Sequence, residues 1–555
     1  MTLNKRCPFF SQILVLLGIV LVAFGCAVQQ KPQGGPKDVV PPKLLRATPA
    51  NQTHNFNSKV IVLDFDKFFK LTNPFQEITI SPDQEKKPEY NYTKKPKSLI
   101  ITFKDSLLKN TTYVINFGKS IVDLHEGNIL KNFTYVFSTG THIDSLSISG
   151  KVIDTHTQDR EKDVTVMLFS LKEDSVVFST GTQFGKKKPS IYTTTDTAGN
   201  FTLSNLHEGL YKLYALKETS VNRIYDNENE LIGIPNHIIN LQNDTTGVML
   251  KLFKQVPTKF RFLQPRFDLD GKISLVFNKP LEKPAVRVLF PVLNEDPYVF
   301  ISKTRDTAQV YIKNMDFDSI KLVVFDNNKP IDTTITLQKL RKESYIRIIS
   351  LATSVDARNA LKPGTDLTIT SNIPIAAYDQ SLIVLTEDST AVDFTLQQDT
   401  ANLKRLTLKY KWKQKANYIL TFNEGAVTGF WGEKNKKLAP KKFKLDKPEN
   451  YSQLNLHITV PDTSKAYIVE FLNEQNSLLQ SNSIRKNTTL TYKNLLSGKY
   501  KVRVVYDDNK NGKWDTGSAK ENRQPENIWV DREVILLTPN FEADKNIEIP
   551  REIIL

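Results

Sequence analysis

Cysteine is almost absent from this chain of 555 residues, which contains only Cys7 and Cys26. Two cysteines cannot form the disulfide framework that holds small secreted domains together. Stability must therefore come from packed cores, and hydrophobic residues, at 39% of the chain, are numerous enough to build them. At roughly 100–200 residues per domain, the length predicts about three to five domains.

Recognisable catalytic motifs are absent as well. The sequence contains no G-x-S-x-G nucleophile elbow and no Walker glycine loop. None of its seven histidines is spaced from another as a pair of zinc ligands is. We therefore predict a protein that is not an enzyme and has no cofactor, apart from the calcium candidate below. A hydrolase with dispersed carboxylates is the weaker alternative, because distant carboxylate pairs cannot be recognised from spacing.

No apolar run is typical of a helix that stays in a membrane. The run from Ile13 to Phe24 is about a dozen residues long, whereas a spanning helix needs about 20. Lys5 and Arg6 precede it, so residues 1–25 are predicted to be a signal peptide. The end of this segment, Gly25-Cys26, resembles a bacterial lipobox, which implies a lipid such as palmitate on Cys26. The alternative is an ordinary secretory signal followed by a chance cysteine.

Residues 26–40 are polar and rich in Pro and Gly, which predicts a flexible tether. A lipid at Cys26 would attach the protein to a membrane without spanning it.

The formal net charge of +15 gives two interpretations. An anionic partner such as lipid headgroups, lipopolysaccharide or acidic glycan is one. Solvated loops and charged edge strands are the other, and we favour it because the lysine runs are scattered and have no aromatic residues among them. Nucleic acid is not expected as a partner of an exported protein. The runs are Lys94-Lys95, Lys186-Lys187-Lys188, Lys436-Lys437 and Lys441-Lys442.

Short segments in which apolar and polar residues alternate fill most of the chain after the tether, as in Val164-Val166-Leu168. Turn residues separate these segments every eight to twelve positions, which predicts an all-β chain of tandem antiparallel β-sandwiches. Five modules are predicted and named here: A (41–141), B (145–254), X (255–345), A′ (346–447) and B′ (450–555).

Modules B and B′ are related by a constant offset of 289 positions. The offset brings Asn205 onto Asn494, Gly209 onto Gly498 and Tyr211 onto Tyr500. Modules A and A′ match more loosely, and X is all-β without a clear type. The predicted order A-B-X-A′-B′ therefore contains an internal duplication.

Module A resembles a bacterial Ig-like domain of the SbsA type, found at the start of a group of Bacteroidetes outer-membrane lipoproteins. The residues that carry the resemblance are Gly34-Gly35-Pro36-Lys37-Asp38, Pro41-Pro42, Phe65-Asp66, Ser81-Pro82, Asn110-Thr111-Thr112-Tyr113, Asn116-Phe117, Ile121, Asp123, Glu126-Gly127-Asn128 and Phe137-Ser138-Thr139-Gly140. A′ keeps only the hydrophobic frame, as a degenerate second copy.

Modules B and B′ resemble carboxypeptidase-regulatory or transthyretin-like sandwiches. In B the resemblance rests on Ser149-Gly150-Lys151-Val152, Asp196-Thr197-Ala198-Gly199-Asn200-Phe201, Leu206, Gly209 and Tyr211. Both resemblances imply architecture and a place in the cell envelope, without a reaction.

These resemblances imply a lipid-anchored outer-membrane protein. Many Bacteroidetes lipoproteins that reach the cell surface carry an acidic cluster after the lipidated cysteine. No such cluster follows Cys26, which favours the periplasmic face. We predict a non-enzymatic scaffold or interaction module of the cell envelope, whose protein or glycan partner is unknown. A surface glycan-binding or adhesion lipoprotein is the alternative, because Trp412, Trp431, Trp514 and Trp529 could stack on sugar rings.

The strongest candidate for a ligand site is the sequence from Asp507 to Asp515. Oxygen-bearing side chains at alternate positions, with Gly512 at the sixth, are typical of the start of a calcium loop. Position twelve is Ser518 where a calcium loop has a bidentate Glu, and Glu521 comes three residues later. A polar hairpin loop without metal is the competing interpretation. The candidate ligands are Asp507, Asn509, Asn511 and Asp515.

Overall fold

The computed structural model describes residues 38–552 except positions 83, 85, 94–96, 172–188, 221, 228 and 340–344 and the side chains of positions 332 and 333. The predicted signal peptide, Cys26, most of the tether and the lysine runs at 94–95 and 186–188 lie outside the described residues.

The chain divides into two compact units, of which the first ends at Asp144 and the second runs from Ser145 to Leu555. Nearly every regular element is a β-strand, so the predicted all-β class is confirmed. The helical elements whose bounds lie within the described residues are single turns: α1 (Pro74–Glu77) and two 3-10 turns (Gln380–Leu382 and Pro448–Asn450).

The first unit holds module A. Its strands are β1 (Leu44–Thr48), β2 (Val60–Phe65), β3 (Phe69–Leu71), β4 (Thr79–Ser81), β5 (Glu89–Asn91), β6 (Ser98–Thr102), β7 (Thr112–Asn116), β8 (Ile121–Asp123) and β9 (Thr134–Ser138). They form sheets in the orders β1-β2-β6-β5, β4-β7-β9 and β3-β8. Alternate residues of these strands point inward, and Phe137 lies at the centre of the core, stacked 5.2 Å from Tyr113.

Several residues of the motif in module A have a local structural role. The Asp123 carboxylate accepts 2.8 Å hydrogen bonds from the backbone N–H groups of His125 and Glu126, which closes the loop after β8. These bonds hold the pKa of the Asp123 carboxyl below its usual value. The Asn128 amide donates to the Asp38 carbonyl at 2.8 Å, and Lys67 pairs with the Asp38 carboxylate. The loop after β8 and Lys67 therefore hold the segment at Asp38, which precedes β1, against module A.

In the second unit, module B contains two sheets in the orders β13-β10-β17 and β12-β11-β14-β15, with β16 also paired to β14. Its strands are β10 (Leu146–Asp154), β11 (Thr165–Ser170), β12 (Ile191–Thr194), β13 (Asn200–Leu206), β14 (Gly209–Lys217), β15 (Leu231–Gly233), β16 (Ile239–Leu241) and β17 (Thr245–Leu252).

Module B′ repeats this plan with sheets β39-β36-β43 and β38-β37-β40-β41, and β42 also pairs with β40. Its strands are β36 (Tyr451–Thr459), β37 (Ala466–Asn473), β38 (Leu478–Ile484), β39 (Thr488–Leu496), β40 (Gly498–Asp507), β41 (Ile528–Val530), β42 (Ile535–Leu537) and β43 (Glu542–Glu548). In chain order, B′ follows the seven strands of X and the eleven strands of A′, which are described next.

Modules X and A′ are further β structures, in which the strands pair antiparallel apart from one parallel pair in A′ between residues 360–361 and 444–445. X contains β18 (Arg266–Phe267), β19 (Ile273–Val276), β20 (Pro284–Phe290), β21 (Tyr298–Ile301), β22 (Thr307–Tyr311), β23 (Ser319–Asp326) and β24 (Lys329–Gln338). A′ contains β25 (Leu351–Thr353), β26 (Ala360–Leu361), β27 (Leu367–Ser371), β28 (Ile375–Tyr378), β29 (Ile383–Glu387), β30 (Thr390–Val392), β31 (Thr395–Gln398), β32 (Arg405–Lys409), β33 (Asn417–Phe422), β34 (Val427–Gly429) and β35 (Lys441–Leu445).

The sequence repeat corresponds to a repeat of backbone conformation. Asn205 and Asn494 both adopt left-handed conformations, with φ of 58° and 55°. The Tyr211 hydroxyl donates to the His207 carbonyl at 2.8 Å, and the Tyr500 hydroxyl donates to the Leu496 carbonyl at 2.6 Å. Each module also contains one parallel pair, β10 with β17 and β36 with β43, because the last strand returns beside the first. The period-two pattern gives strand faces but not strand direction, so this parallel pairing could not be read from it.

Candidate functional site

The candidate calcium loop begins where β40 ends. Asp507 is the last residue of this strand and is 1% exposed, and the chain then runs through a long loop until β41 begins at Ile528. The structure brings the four predicted ligands together at the start of this loop. The Asp507 carboxylate accepts backbone N–H groups from Asn511 at 3.0 Å and Gly512 at 2.9 Å.

The remaining candidates bond to one another. The Asn511 amide donates to the Asp515 carboxylate at 2.7 Å, and Asn509 also donates to that carboxylate. The loop is therefore closed by its own polar groups, as an Asx-type turn is. Gly512 at its tip has φ of 75°, a left-handed conformation that glycine adopts without steric cost.

Glu526 also belongs to this site. The sequence pattern did not indicate it, because it lies beyond the segment from Asp507 to Asp515. Its carboxylate accepts the backbone N–H groups of Asp508 at 3.0 Å and Asp515 at 2.9 Å, and the residue is 9% exposed. Burial raises the pKa of the Glu526 carboxyl to about 7, and the negative charges of Asp515 and Asp507 add to this shift. Glu521, considered from spacing, instead pairs with Arg523 at 3.3 Å.

Module B closes the equivalent loop in the same way without the calcium pattern. Glu218, at the position of Asp507, accepts the backbone N–H groups of Asn222 at 2.7 Å and Arg223 at 2.5 Å. The Asn222 amide donates to the Asp226 carboxylate at 2.9 Å, as Asn511 does to Asp515. The same loop closure therefore occurs in B and B′ with different residue types. This supports the polar-loop interpretation, because any side chain that accepts two backbone N–H groups can close the loop.

The second half of this loop packs against module B. Trp514 and Ala519 join a hydrophobic cluster on the outer face of β11 and β14, formed by Met167, Phe169, Tyr192, Tyr214, Leu216, Ile232, Ile234 and Phe253. A side chain at Gly517 would collide with the Phe253 ring at 2.6 Å, so glycine permits this close approach. The loop therefore joins B′ to B.

Hydrogen bonds surround this shared cluster. The Thr516 hydroxyl donates to the Lys254 carbonyl at 2.6 Å, and the Gln524 amide donates to the Ile234 carbonyl at 2.8 Å. The Lys251 ammonium donates to Asn527 at 2.6 Å. An apolar centre with a hydrogen-bonded rim is the anatomy of a stable interface.

His156 of module B lies on the Trp514 ring, with a centroid distance of 4.3 Å. Burial lowers the pKa of the His156 imidazole, and the nearby positive charge of Arg503 in B′ lowers it further. Asp154 and Glu470 act in the opposite direction. A neutral imidazole therefore fits this junction, the contact between B and B′ around Trp514, better than a charged one.

Among the described residues, no group of three or more His, Cys, Asp or Glu side chains is arranged to hold a metal ion. The Asn509 and Asn511 side chains direct their NH2 groups toward Asp515, and their amide oxygens accept the backbone N–H groups of Asn511 at 3.0 Å and Lys513 at 2.8 Å. Calcium binding by these residues stays a prediction.

Glu526 gives the junction a pH dependence with a definite sign. The folded protein holds the Glu526 proton more tightly than the unfolded chain, because its pKa rises from 4.5 to about 7. The contribution of Glu526 to stability should therefore increase as the pH falls from about 8 to about 5, by on the order of 3 kcal/mol at about 1.4 kcal/mol per pKa unit. Denaturant unfolding of the wild type and Glu526→Gln across this range measures the contribution. A variant with the same pH slope as the wild type would contradict this assignment.

The calcium hypothesis predicts a second result in the same experiment. A bound cation neutralises the mutual repulsion of Glu526, Asp515 and Asp507, so calcium chloride should raise the midpoint of unfolding at about pH 8. Asp515→Asn should weaken that response, and magnesium chloride serves as the control for ionic strength. Equal responses to the two salts would favour the polar-loop interpretation.

The four tryptophans lie packed against other side chains. Trp412 packs edge-on against Tyr418 at 4.9 Å, and Trp529 lies against the B′ core. Trp431 donates its indole N–H to the Ile312 carbonyl at 2.7 Å and stacks under the Arg347 guanidinium at 4.2 Å. Each of the four side chains is half-buried, and stacking on a sugar ring stays a prediction of the glycan alternative.

Among the lysine runs that the structure describes, Lys436 and Lys437 are exposed in a loop, and Lys441 and Lys442 begin β35. This placement agrees with solvated, charged surface.

The comparison with protein families addresses the first unit. Residues 38–139 match the family model of the bacterial Ig-like domain. The range of this Ig-like domain includes Asp38, Lys67 and Asp123, whose contacts hold the entering chain. A search of curated proteins gave no significant match.

Three solved structures that match this chain have low sequence identity to it. The BcpA major pilin subunit of Bacillus cereus is 10% identical, with 73% of this chain and 99% of that chain covered and a TM-score of 0.13. The Bacillus anthracis TIE protein is 10% identical, covering 98% of this chain and 79% of that chain with a TM-score of 0.14. The S-layer protein rSbsC is 10% identical, covering 85% of this chain and 66% of that chain with a TM-score of 0.14. Similarity at this level carries no argument about function.

Within the described part of the chain, no helix combines the length and apolar character that crossing a membrane requires.

Proposed function

We propose that the protein is a non-enzymatic scaffold or interaction protein of the bacterial cell envelope, attached by a lipid on Cys26 to the outer membrane and facing the periplasm. The observation that supports a structural role is the hydrophobic cluster shared by B and B′. Modules that share buried side chains act as one body, whereas independent modules on linkers move separately.

Contacts between the other modules of the second unit support the same role. Trp431 of A′ bonds to Ile312 of X, and the Asn494 amide of B′ donates to the Pro363 carbonyl of A′ at 3.1 Å. Arg358 and Tyr451 both bond to the Asp446 carboxylate between A′ and B′, at 3.0 Å and 2.9 Å. A framework of this kind holds binding surfaces at fixed separations.

Replacing Cys26 tests the anchor. In a Bacteroidetes host fed a palmitate analogue, we expect label on the full chain and no label on Cys26→Ala, because the lipid is attached through this thiol. Cys7→Ala is the matched control, since it removes the one other cysteine and should leave labelling unchanged. Label that survives Cys26→Ala, or its absence from the wild type, would contradict the proposed anchor.

Protease added to the same cells tests the location. A periplasmic protein resists protease until the outer membrane is opened, whereas a surface protein is degraded on intact cells. Degradation on intact cells would favour the adhesion alternative. Turnover of glycosides, peptides or esters by the purified protein would contradict the non-enzymatic role.

A further inference from the structure

The edge strand β38 of module B′ lacks the usual protection of a sheet edge. It is the outermost strand of its sheet, and no strand of the described chain pairs with its other side. Its seven residues, Leu-Leu-Gln-Ser-Asn-Ser-Ile, include no charge and no proline. By contrast, the edge strand β43 of the other B′ sheet carries Glu542, Asp544, Lys545 and Glu548. Charged side chains and proline are the ordinary means of preventing edge pairing.

The exposed surface of β38 is partly apolar. Leu478 is 52% exposed and Leu479 is 46% exposed, although leucine side chains are more often buried. A bulge opposite Phe471 and Leu472 interrupts the pairing at these two residues, so the regular edge extends from Gln480 to Ile484. In module B the corresponding edge strand, β12, has four residues, of which Tyr192 and Thr193 are buried, and Tyr192 belongs to the shared cluster.

An open groove lies at the end of this edge. Its volume is about 520 Å³, and it is lined by Thr463, Asn482, Ser483, Ile484, Arg485, Lys486, Thr488 and Leu490. Arg485 and Lys486 are exposed, and neither side chain forms an ion pair or hydrogen bond with another described residue. Hydroxyl and amide groups beside two unpaired cations favour a carboxylate-bearing ligand.

We propose that β38 and this groove bind an extended acidic segment of a partner protein, which adds a strand to the sheet and places its carboxylates on Arg485 and Lys486. Backbone hydrogen bonds supply the affinity of such strand addition, and side-chain pockets supply the specificity. The proposal deepens the interaction role of the proposed function and rests on it only for the existence of an envelope partner.

Charge selects this occupant over a second copy of the chain. A second β38 brings no acidic side chain to meet Arg485 and Lys486, since the nearby Glu474 already pairs with Lys499 at 3.1 Å. Two copies with a formal charge of +15 each also repel one another. An acidic strand would instead pair with Arg485 and Lys486 and be attracted by the positive net charge of the chain.

The test uses the purified full chain and a fluorescent peptide of alternating Thr and Val with paired Glu at each end. Two matched probes accompany it: one with Lys in place of Glu, and one with the same sequence but alternate backbone amides methylated. We expect the acidic peptide to bind at least about tenfold more tightly than either probe. The Lys probe lacks the carboxylates, and the methylated probe lacks the backbone N–H groups that would bond to β38.

Charge reversal locates the site. The double variant Arg485→Glu with Lys486→Glu should weaken binding by about tenfold or more, and the milder Arg485→Gln with Lys486→Gln should give an intermediate loss. Lys436→Glu with Lys437→Glu is the matched control, since it makes the same change in net charge on another exposed loop. Thermal unfolding of each variant confirms that the fold is retained.

Four outcomes would overturn the proposal. They are no binding by the acidic peptide, equal binding by the methylated peptide, equal losses in the two charge-reversal variants, and a dimer in sedimentation that the peptide dissociates. The last would assign the edge to a second copy. Failure of peptide binding leaves the Cys26 labelling result unaffected, so the two proposals can fail separately.

Discussion

Trp514→Ala should lower the free energy of unfolding of the second unit by about 3 kcal/mol and separate B from B′. A truncated core tryptophan costs about 3–5 kcal/mol, and the lower figure applies because this ring is half-buried. The variant removes the contact with His156 and the 3.0 Å hydrogen bond to the Glu526 carbonyl. It also leaves a cavity beside Ala519 and Phe253.

Denaturant unfolding combined with hydrogen exchange measures this effect. In the wild type, the amides of β11 and β40 should exchange with similar protection, because the shared cluster couples the modules. In Trp514→Ala the protection should diverge between them. Leu536→Ala is the matched control, because it truncates a large side chain of B′ that is 64% exposed. Equal losses of stability in the two variants would contradict the role given to the shared cluster.

Trp431→Ala should also destabilise the second unit by about 3 kcal/mol, because it removes packing between X and A′. The ring lies 5.7 Å from the Tyr311 ring, and Tyr311 is fully buried. The stacked Arg347 guanidinium adds a cation–π contact of about 0.5–2 kcal/mol. The glycan hypothesis makes a different prediction, namely loss of glycan retention with stability unchanged.

Arg347→Ala separates these explanations. This variant leaves the Trp431 ring in place but removes its cation and the 3.1 Å hydrogen bond to the Asp270 carbonyl. We expect both variants to lower the unfolding midpoint, with the larger change for Trp431→Ala. Glycan affinity chromatography at a temperature where each variant is folded completes the test. Selective loss of retention in Trp431→Ala at wild-type stability would favour the glycan interpretation.

Sequence reasoning was accurate for features that depend on neighbouring residues. Alternation as in Leu406, Leu408 and Tyr410 predicts strand faces, and Leu406 and Leu408 are fully buried in A′. The residue types from Asp196 to Asn200 favour a turn, and the Asp196 carboxylate accepts the backbone N–H groups of Ala198 and Asn200. Gly199 occupies the left-handed position of this turn, with φ of 72°. Such features are local, so the required residue types appear within a few positions.

The candidate site was predicted only in part for the same reason. Asp507, Asn511 and Asp515 lie in one loop, so their spacing in the sequence was enough to predict that they lie close together. Glu526 reaches the loop from just before β41, and its counterpart in module B by the repeat offset is His237. No periodic or repeated signal therefore marked it.

The sequence by itself determined the all-β class, the strand faces, the B–B′ duplication and the polar turns, because each follows from side chains a few positions apart or from direct comparison of two segments. Only the tertiary structure decided that Trp514 and Trp431 pack between modules, that Glu526 is buried beside two carboxylates, and that β38 is an open edge. These properties depend on which distant strands pair and which faces meet. A period-two pattern leaves both undetermined, since it gives the face of a strand but neither its neighbours nor the surface that covers it.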